Sequence, residues 1–370
     1  MTASGGWRDR VASRNKEIAN AGRWRSIRTL DGGGPAFTME DDRRVVSFAS
    51  NDYLGLSQHP AVVDAARAAL DQWGAGSGSA RLIVGGRPIH HELEVALAAW
   101  KDTEAALLFP TGFTANLGVL TTFATDDVLV VSDELNHASI IDGTRLARGR
   151  VAIARHRDVG HVDELLSMHD GAAIVVTDTV FSMDGDEAPL VELLEVCADH
   201  DALVILDEAH SVLGPSVPTS DATVLRVGTL SKTLGALGGF VAGPSPFIDL
   251  MINAARPFIF TTAPTPADSA AALAALEVLQ SSAGDDLKAR LRRHVERIAP
   301  GHPSPIVPIV LGDEQRAIDA SARLLDDHGL LVPAIRPPTV APGTCRLRVA
   351  LSAAHQADDV DRLAKALTDL

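Results

Sequence analysis

The chain has 370 residues, 46% hydrophobic and 22% charged, enough apolar material to fill one large or two moderate domains and too much for a disordered chain. Its 33 basic residues against 48 acidic ones give a net charge of −15, which argues against a nucleic-acid partner. Two cysteines, Cys197 and Cys345, are too few for a disulfide framework or a metal cluster, and there is no long uncharged apolar run or signal-peptide block. The expectation is a soluble, cytoplasmic protein with no membrane partner.

The first segment is polar and locally basic. Arg8, Arg10, Arg14, Lys16, Arg23, Arg25 and Arg28 face only Asp9 and Glu17 there, an arm that would suit an anionic substrate or serve as a solvated helix face. Helical spacing follows at residues 90–100 and 114–123, on either side of the apolar run AALLF at 105–109. Next come VLVV at 128–131, AIVVT at 173–177, a helical stretch at 190–200, ALVIL at 202–206, TVLRV at 223–227 and GGFVA at 238–242. Strands alternating with helices predict an α/β fold, a mostly parallel sheet sandwiched by helices.

A long alanine-rich helix is expected from Pro266 to about Ile298. The pattern then changes to IVPIVL, a helix across 314–328, LLVPAI, RLRVAL and a last helix after His355, which reads as a smaller C-terminal α+β domain. The expected organisation is an N-terminal arm over 1–50, a large domain over 51–290 and a small domain over 291–370. The link falls near 285–302, where Pro300, Gly301 and Pro303 cluster.

Ligands of open α/β sheets collect at the carboxyl ends of strands. Asp207-Glu208-Ala209-His210 follows one apolar run and Gly228-Thr229-Leu230-Ser231-Lys232-Thr233 the next, so a carboxylate, an imidazole and an amine converge on one edge. The Asp-Glu-Ala-His tetrapeptide invites a nucleotide-hydrolysing reading, but no phosphate loop precedes it, and Lys232-Thr233 follows Ser231 where that loop needs Gly. The same residues suit pyridoxal 5'-phosphate. Lys232 can hold it as a Schiff base and Asp207 can keep the pyridine nitrogen protonated. The turn Pro110-Thr111-Gly112-Phe113 opens a helix and offers N–H groups to the phosphate, with Thr229 and Ser182 as hydroxyl donors. His90, His91, His156 and His161 lack a ligand pattern and read as surface or capping residues, and no metal is expected.

These residues extend into longer motifs: Ser50-Asn51-Asp52-Tyr53-Leu54-Gly55-Leu56, Gly76-Ser77-Gly78 with Arg81, Thr111 to Asn116, His137-Ala138-Ser139 and Val180 to Asp186. Through them the chain resembles the α-oxoamine synthase family of fold-type I pyridoxal-phosphate enzymes over nearly its whole length. Ala334 to Val340, with Gly343-Thr344 and Arg346-Leu347-Arg348, is similar to the family's biotin-synthesis branch.

The resemblance implies that Lys232 carries the cofactor and moves protons, that Asp207 pairs with its ring nitrogen, and that His137 stacks on its face. It implies that His210 and Ser182 bond near the phenolic oxygen, that Gly112 and Phe113 present backbone to the cofactor, and that Thr229 holds the phosphate. Thr262 would reach the phosphate of the neighbouring subunit in a homodimer with a shared site. Arg348 would bind the amino-acid carboxylate, with Arg25, His137 and Thr339 also touching substrate. The implied reaction is a decarboxylative condensation of L-alanine with pimeloyl-CoA or pimeloyl-acyl-carrier protein, and sister enzymes using glycine or serine are the alternative. Two departures stand out: Glu208 replaces a frequent Asp, and residues 211–222 are fewer than usual. Arg346 and Arg348, two apart in one strand, must share a face.

Overall fold

The computed structural model describes residues 6–370, so the first five residues of the expected N-terminal arm lie outside the described part. A helix with no buried residue, α1 (Trp7–Asn20), leads into β1 (Leu30–Asp31), β2 (Ala36–Met39) and β3 (Arg44–Ser47), an antiparallel meander. Helices α2 (Pro60–Trp73) and α3 (Pro88–Trp100) both begin on proline, whose missing N–H costs nothing in a first turn.

The central sheet is seven-stranded. Its members are β4 (Ala105–Phe109), β5 (Leu129–Asp133), β6 (Arg150–Ala154), β7 (Ala173–Asp178), β8 (Leu203–Asp207), β9 (Val224–Thr229) and β10 (Gly239–Gly243). They lie in the order β4-β10-β9-β8-β7-β5-β6. Only β10 runs against its neighbours, pairing antiparallel with β4 and β9, while the other pairs are parallel. Helices α4 (Gly112–Phe123), α5 (Ala138–Leu146), α6 (Val159–Ser167), α7 (Leu190–Asp199), α8 (Ser245–Ala254) and α9 (Arg256–Ile259) connect or flank the strands.

Strand alternation sorts the core. Val130, Ile174, Val176 and Ile205 pack on one face with Val119, Leu120 and Met251, while Leu129, Val131, Val175, Val204 and Leu206 pack on the other with Leu166, Leu193 and Leu194. Both faces are therefore dry, as an inner parallel sheet requires. The expected mostly parallel sheet between helices is what the chain builds.

The helix expected over 266–298 is two helices, α10 (Pro266–Leu279) and α11 (Ser282–Ile298). Ser281 between them takes an extended conformation, φ −91° and ψ 171°, and serves as the N-cap of the second. Beyond lie β11 (Ile306–Gly312), α12 (Glu314–His328), β12 (Leu330–Leu331), β13 (Ala334–Ile335), β14 (Cys345–Ala350) and α13 (Ala357–Thr368). β11, β14 and β13 form a three-stranded sheet, whereas β12 pairs parallel with β3 and so joins the N-terminal meander. One apolar cluster runs from Leu108 and Phe240 through Leu291 to Leu347 and Leu363, tying this region to the central sheet. Among the described residues no helix is long and apolar enough to cross a membrane.

Candidate active site

The carboxyl ends of β4, β5, β7, β8 and β9 bring the polar residues together. Asp207 closes β8 and is buried. Its Oδ2 accepts from Asn116 Nδ2 at 2.6 Å and its Oδ1 from the Ala209 N–H at 2.9 Å. Asn116, on α4, also donates to Ser139 Oγ at 2.9 Å, and that hydroxyl meets His137 Nδ1 at 2.8 Å. A polar line thus runs from the buried Asp207 carboxylate, through buried Asn116 and Ser139, out to the His137 ring at the surface.

His137 caps α5, and its own N–H donates to Asp178 Oδ2 at 2.8 Å. Burial lowers its pKa, the charge of Asp207 works against this, and Lys232 adds to the lowering, so at neutral pH the ring is uncharged. Asp178 closes β7 and stands in register with Asp207. Burial, and then the Asp207 charge, raise the pKa of Asp178 well above the carboxylate range.

A second line starts at Lys232, three residues past β9. Its Nζ donates to His210 Nε2 at 2.8 Å. Burial holds His210 well below the usual imidazole range, and the charges of Lys232 and Arg348 push the same way. With Nε2 accepting, Nδ1–H donates to Tyr53 Oη at 2.6 Å, and that hydroxyl donates to Asn51 Oδ1 at 3.1 Å. Arg348 Nη2 donates to the same Asn51 oxygen at 3.1 Å, and its Nε donates to the Ser182 carbonyl at 2.5 Å. Lys232 and Arg348 are thereby the ends of one network. Burial lowers the Lys232 pKa, the Asp207 charge opposes this, and Arg348 supports it. Burial pushes Tyr53 up to about 12, so its hydroxyl keeps its proton.

At the head of α4, Thr111 Oγ1 accepts the Thr114 N–H at 3.1 Å. Gly112 follows, so close to β9 that a Cβ there would lie 3.1 Å from Thr229 Cβ. Thr229 Oγ1 in turn accepts the Ser231 N–H at 3.1 Å. The helix start, the glycine and the hydroxyl form a small electropositive cradle. Phe113 beside it is 41% exposed.

The structure thus gathers Gly112, His137, Ser182, Asp207, His210, Thr229, Lys232 and Arg348 along one sheet edge. Arg25, Thr262 and Thr339 are exposed, and among the described residues no hydrogen bond or ion pair joins their side chains to this group. Arg346 shares the face of Arg348, as spacing required, and pairs with Asp184. Tyr53, Asn51, Asn116 and Asp178 were given no role from sequence. The first three lie inside motifs already quoted, so the signal was present without an assignment. Glu208 turns away from the site to Lys101 at 2.6 Å and Arg226 at 2.5 Å. Burial would raise its pKa, but those two cations outweigh it and hold the carboxyl low.

The family model for aminotransferase class I and II matches residues 43–367. An 8-amino-7-oxononanoate synthase of Methylobacterium sp. strain 4-46 is 48% identical over 357 residues, covering 94% of this chain and 92% of the relative. That of Marinobacter nauticus is 45% identical over 368 residues, with the same coverage of 94% and 92%. The chain belongs to the 8-amino-7-oxononanoate synthase family. Among solved structures it is similar to the Sphingomonas wittichii serine palmitoyltransferase, with a TM-score of 0.89 and 28% identity over 98% of this chain and 96% of that one. It is also similar to the 8-amino-7-oxononanoate synthase of Francisella tularensis, with a TM-score of 0.74 and 25% identity over 88% and 97%.

As a member of the 8-amino-7-oxononanoate synthase family the chain is a pyridoxal-phosphate-dependent acyltransferase, and the site fits that cofactor. The donor set has an amine of lowered pKa, a buried carboxylate anchored by two N–H donors, a neutral imidazole, and a helix start at which a side chain on Gly112 would crowd Thr229.

Proposed function

We propose that this chain condenses L-alanine with a pimeloyl thioester, releasing CO₂ and the carrier thiol, to give 8-amino-7-oxononanoate for biotin synthesis. The observation that carries the reading is the pairing of 43–48% identity to 8-amino-7-oxononanoate synthases with a buried arginine, Arg348, networked to Lys232. Bound pyridoxal phosphate supplies an electron sink for a carbanion on the amino-acid α-carbon.

In this reading Lys232 holds the cofactor and then, as a free amine, takes the α-proton. Its lowered pKa suits a base working near neutral pH, and His210 accepts one of its N–H bonds and so aims the nitrogen. Asp207, held by Asn116 and Ala209, places fixed negative charge against the ring nitrogen. His137 would offer an uncharged face for stacking on the cofactor, and Ser182 and His210 would bond near its phenolic oxygen. The α4 start, with Gly112, Phe113 and Thr229, would hold the phosphate. Arg348 has its Nε and one terminal nitrogen committed to Ser182 and Asn51, which fixes the guanidinium plane for the substrate carboxylate.

Arg25, Thr339 and the neighbouring subunit's copy of the Thr262 segment complete the site in a cytoplasmic homodimer. Residues 51–290 act as the cofactor-binding domain and 291–370 as the smaller domain that delivers Arg348. The carrier is CoA or an acyl-carrier protein, both anionic, and the exposed basic stretch from Arg8 to Arg28 suits either.

Likeness to serine palmitoyltransferases favours a second reading, serine with a long-chain acyl thioester. Titrating the holoenzyme with alanine, glycine and serine, with pimeloyl-CoA or palmitoyl-CoA, separates the two. Product formation from alanine and pimeloyl-CoA supports the first. Turnover of serine with palmitoyl-CoA, and none with alanine, overturns it.

A further inference from the structure

His156, which sequence reading left as a surface or capping residue, occupies a built site beside the active centre. Its Nδ1 lies 3.0 and 3.2 Å from the two oxygens of Asp133, at the end of β5, and its Nε2 lies 2.8 Å from Asp186 Oδ2. The ring meets Phe181 edge-on with centroids 4.4 Å apart. An imidazole with a carboxylate on each nitrogen satisfies both only by donating from both, which requires the charged form.

The two carboxylates belong to different parts of the site. Asp133 lies four residues before His137. Asp186 ends the turn that begins at Phe181, closed by the Phe181 N–H to the Asp186 carbonyl at 3.0 Å and the Gly185 N–H to the Phe181 carbonyl at 2.8 Å. Gly185 has φ +69°, and a Cβ there would sit 2.1 Å from the Ile306 carbonyl, so the turn is wedged against β11. Within this turn the Ser182 carbonyl accepts from Arg348 Nε, and Asp184 pairs with Arg346.

We propose that His156 is a positioning residue: its bridge from Asp133 to Asp186 fixes the 181–186 turn and thereby the Ser182 carbonyl that aims Arg348 at the amino-acid carboxylate. This rests on the reading of Arg348 as the carboxylate-binding group. The charged groups facing the ring are Asp133 and Glu134 from the β5 end, Asp186 from the turn, and Arg157 on its own segment. Glu134 accepts the His156 N–H at 2.9 Å, and Arg157 reaches Asp186 at 3.3 Å. Burial by itself would lower the imidazole pKa, but Asp133 and Asp186 outweigh it and hold the group at about 9.

The test is alanine titration of the holoenzyme, followed through cofactor absorbance, for the wild type, His156→Gln, Asp186→Asn, Arg348→Ala and the His156→Gln/Arg348→Ala double variant. His156→Gln should retain the cofactor and weaken alanine binding about tenfold at neutral pH, as loss of charge-assisted bonds would. The gap to wild type should close as pH rises through about 9, where the wild-type ring loses its charge. The double variant should bind alanine no more weakly than Arg348→Ala, because the two act in series. A gap that stays constant with pH, or losses that add, overturns the positioning role while leaving Arg348 in place. Unchanged alanine binding by Arg348→Ala overturns the carboxylate reading itself, and the proposal with it. Should His156→Gln fail to fold, Asp186→Asn removes the same charge pair from the other side and is judged by the same two criteria.

Discussion

Asp178 and Asp207 end adjacent parallel strands in register, and burial together with the Asp207 charge raises the pKa of Asp178 well above the carboxylate range. Two ionised carboxylates side by side in a dry site repel, which favours the protonated form of Asp178. Asp207, by contrast, has two N–H donors fixed on it. The contrast between the two is a direct test. Asp178→Asn removes a carboxyl whose charged form burial already disfavours and keeps an oxygen that accepts the His137 N–H, and should keep activity within about threefold of wild type. Asp207→Asn should slow exchange of the alanine α-proton by about tenfold or more, since one pKa unit at the ring nitrogen is worth about 1.4 kcal/mol. Deuterium exchange into alanine, measured without thioester, reads both.

Lys232→Ala should abolish turnover and leave a folded protein. Borohydride reduction of the wild-type holoenzyme followed by peptide mass analysis should find the cofactor on the peptide bearing Lys232, and label on another lysine would remove it from its assigned role.

Tyr53→Phe deletes the one hydroxyl between His210 and Asn51. The buried His210 Nδ1 then loses its partner, at a cost of about 1–3 kcal/mol in stability, while the half-buried Asn51 oxygen keeps its Arg348 donor. Because the ring itself still fills the core, cofactor content should be unchanged while turnover falls. Urea unfolding of the holoenzyme, with kcat measured alongside, checks the pair of effects.

His355 contributes to the acid-side pH dependence of stability. It is buried, stacks on Phe48 at 4.1 Å and donates from Nε2 to the Ser47 carbonyl at 2.9 Å. Burial lowers its pKa to about 4, against 6.5 when unfolded. The unfolded chain thus binds the proton more readily, so stability is full above about pH 6.5 and is lost as pH falls toward 4. The loss amounts to about 3 kcal/mol. Urea midpoints between these limits should fall steeply for wild type and more gently for His355→Gln. Parallel slopes would show that other groups govern the acid limb.

Much of this was legible because the chemistry sits where strands stop. β4 and the strands ending near Asp207 and Thr229 are short apolar runs with a polar residue one or two positions beyond, and periodicity finds such runs well. β6 escaped because it lies at the sheet edge, with the Arg150, Val151 and Ile153 side chains exposed, so no continuous apolar run announces it. The meander β1 to β3 escaped because its strands are short and half exposed. Asp178 hid at the end of a strand already marked by its apolar residues, and its neighbour across the sheet cannot be read from local sequence. The clamp at His156 draws on residues 23 positions before it and 30 after it, a relation with no signature in spacing.

The pairing of β12 with β3 imposes an order on how the chain matures. Val46 and Ser47 must wait for Leu330 and Leu331, which come from near the other end. At synthesis rates of about 5–20 residues per second, that interval is on the order of tens of seconds. Throughout it the nascent N-terminal meander presents the bare edge of β3, a template on which a strand of another chain can settle. The bare edge at residues 44–47 thus outlasts that of β4 in the central sheet, which waits only for β10.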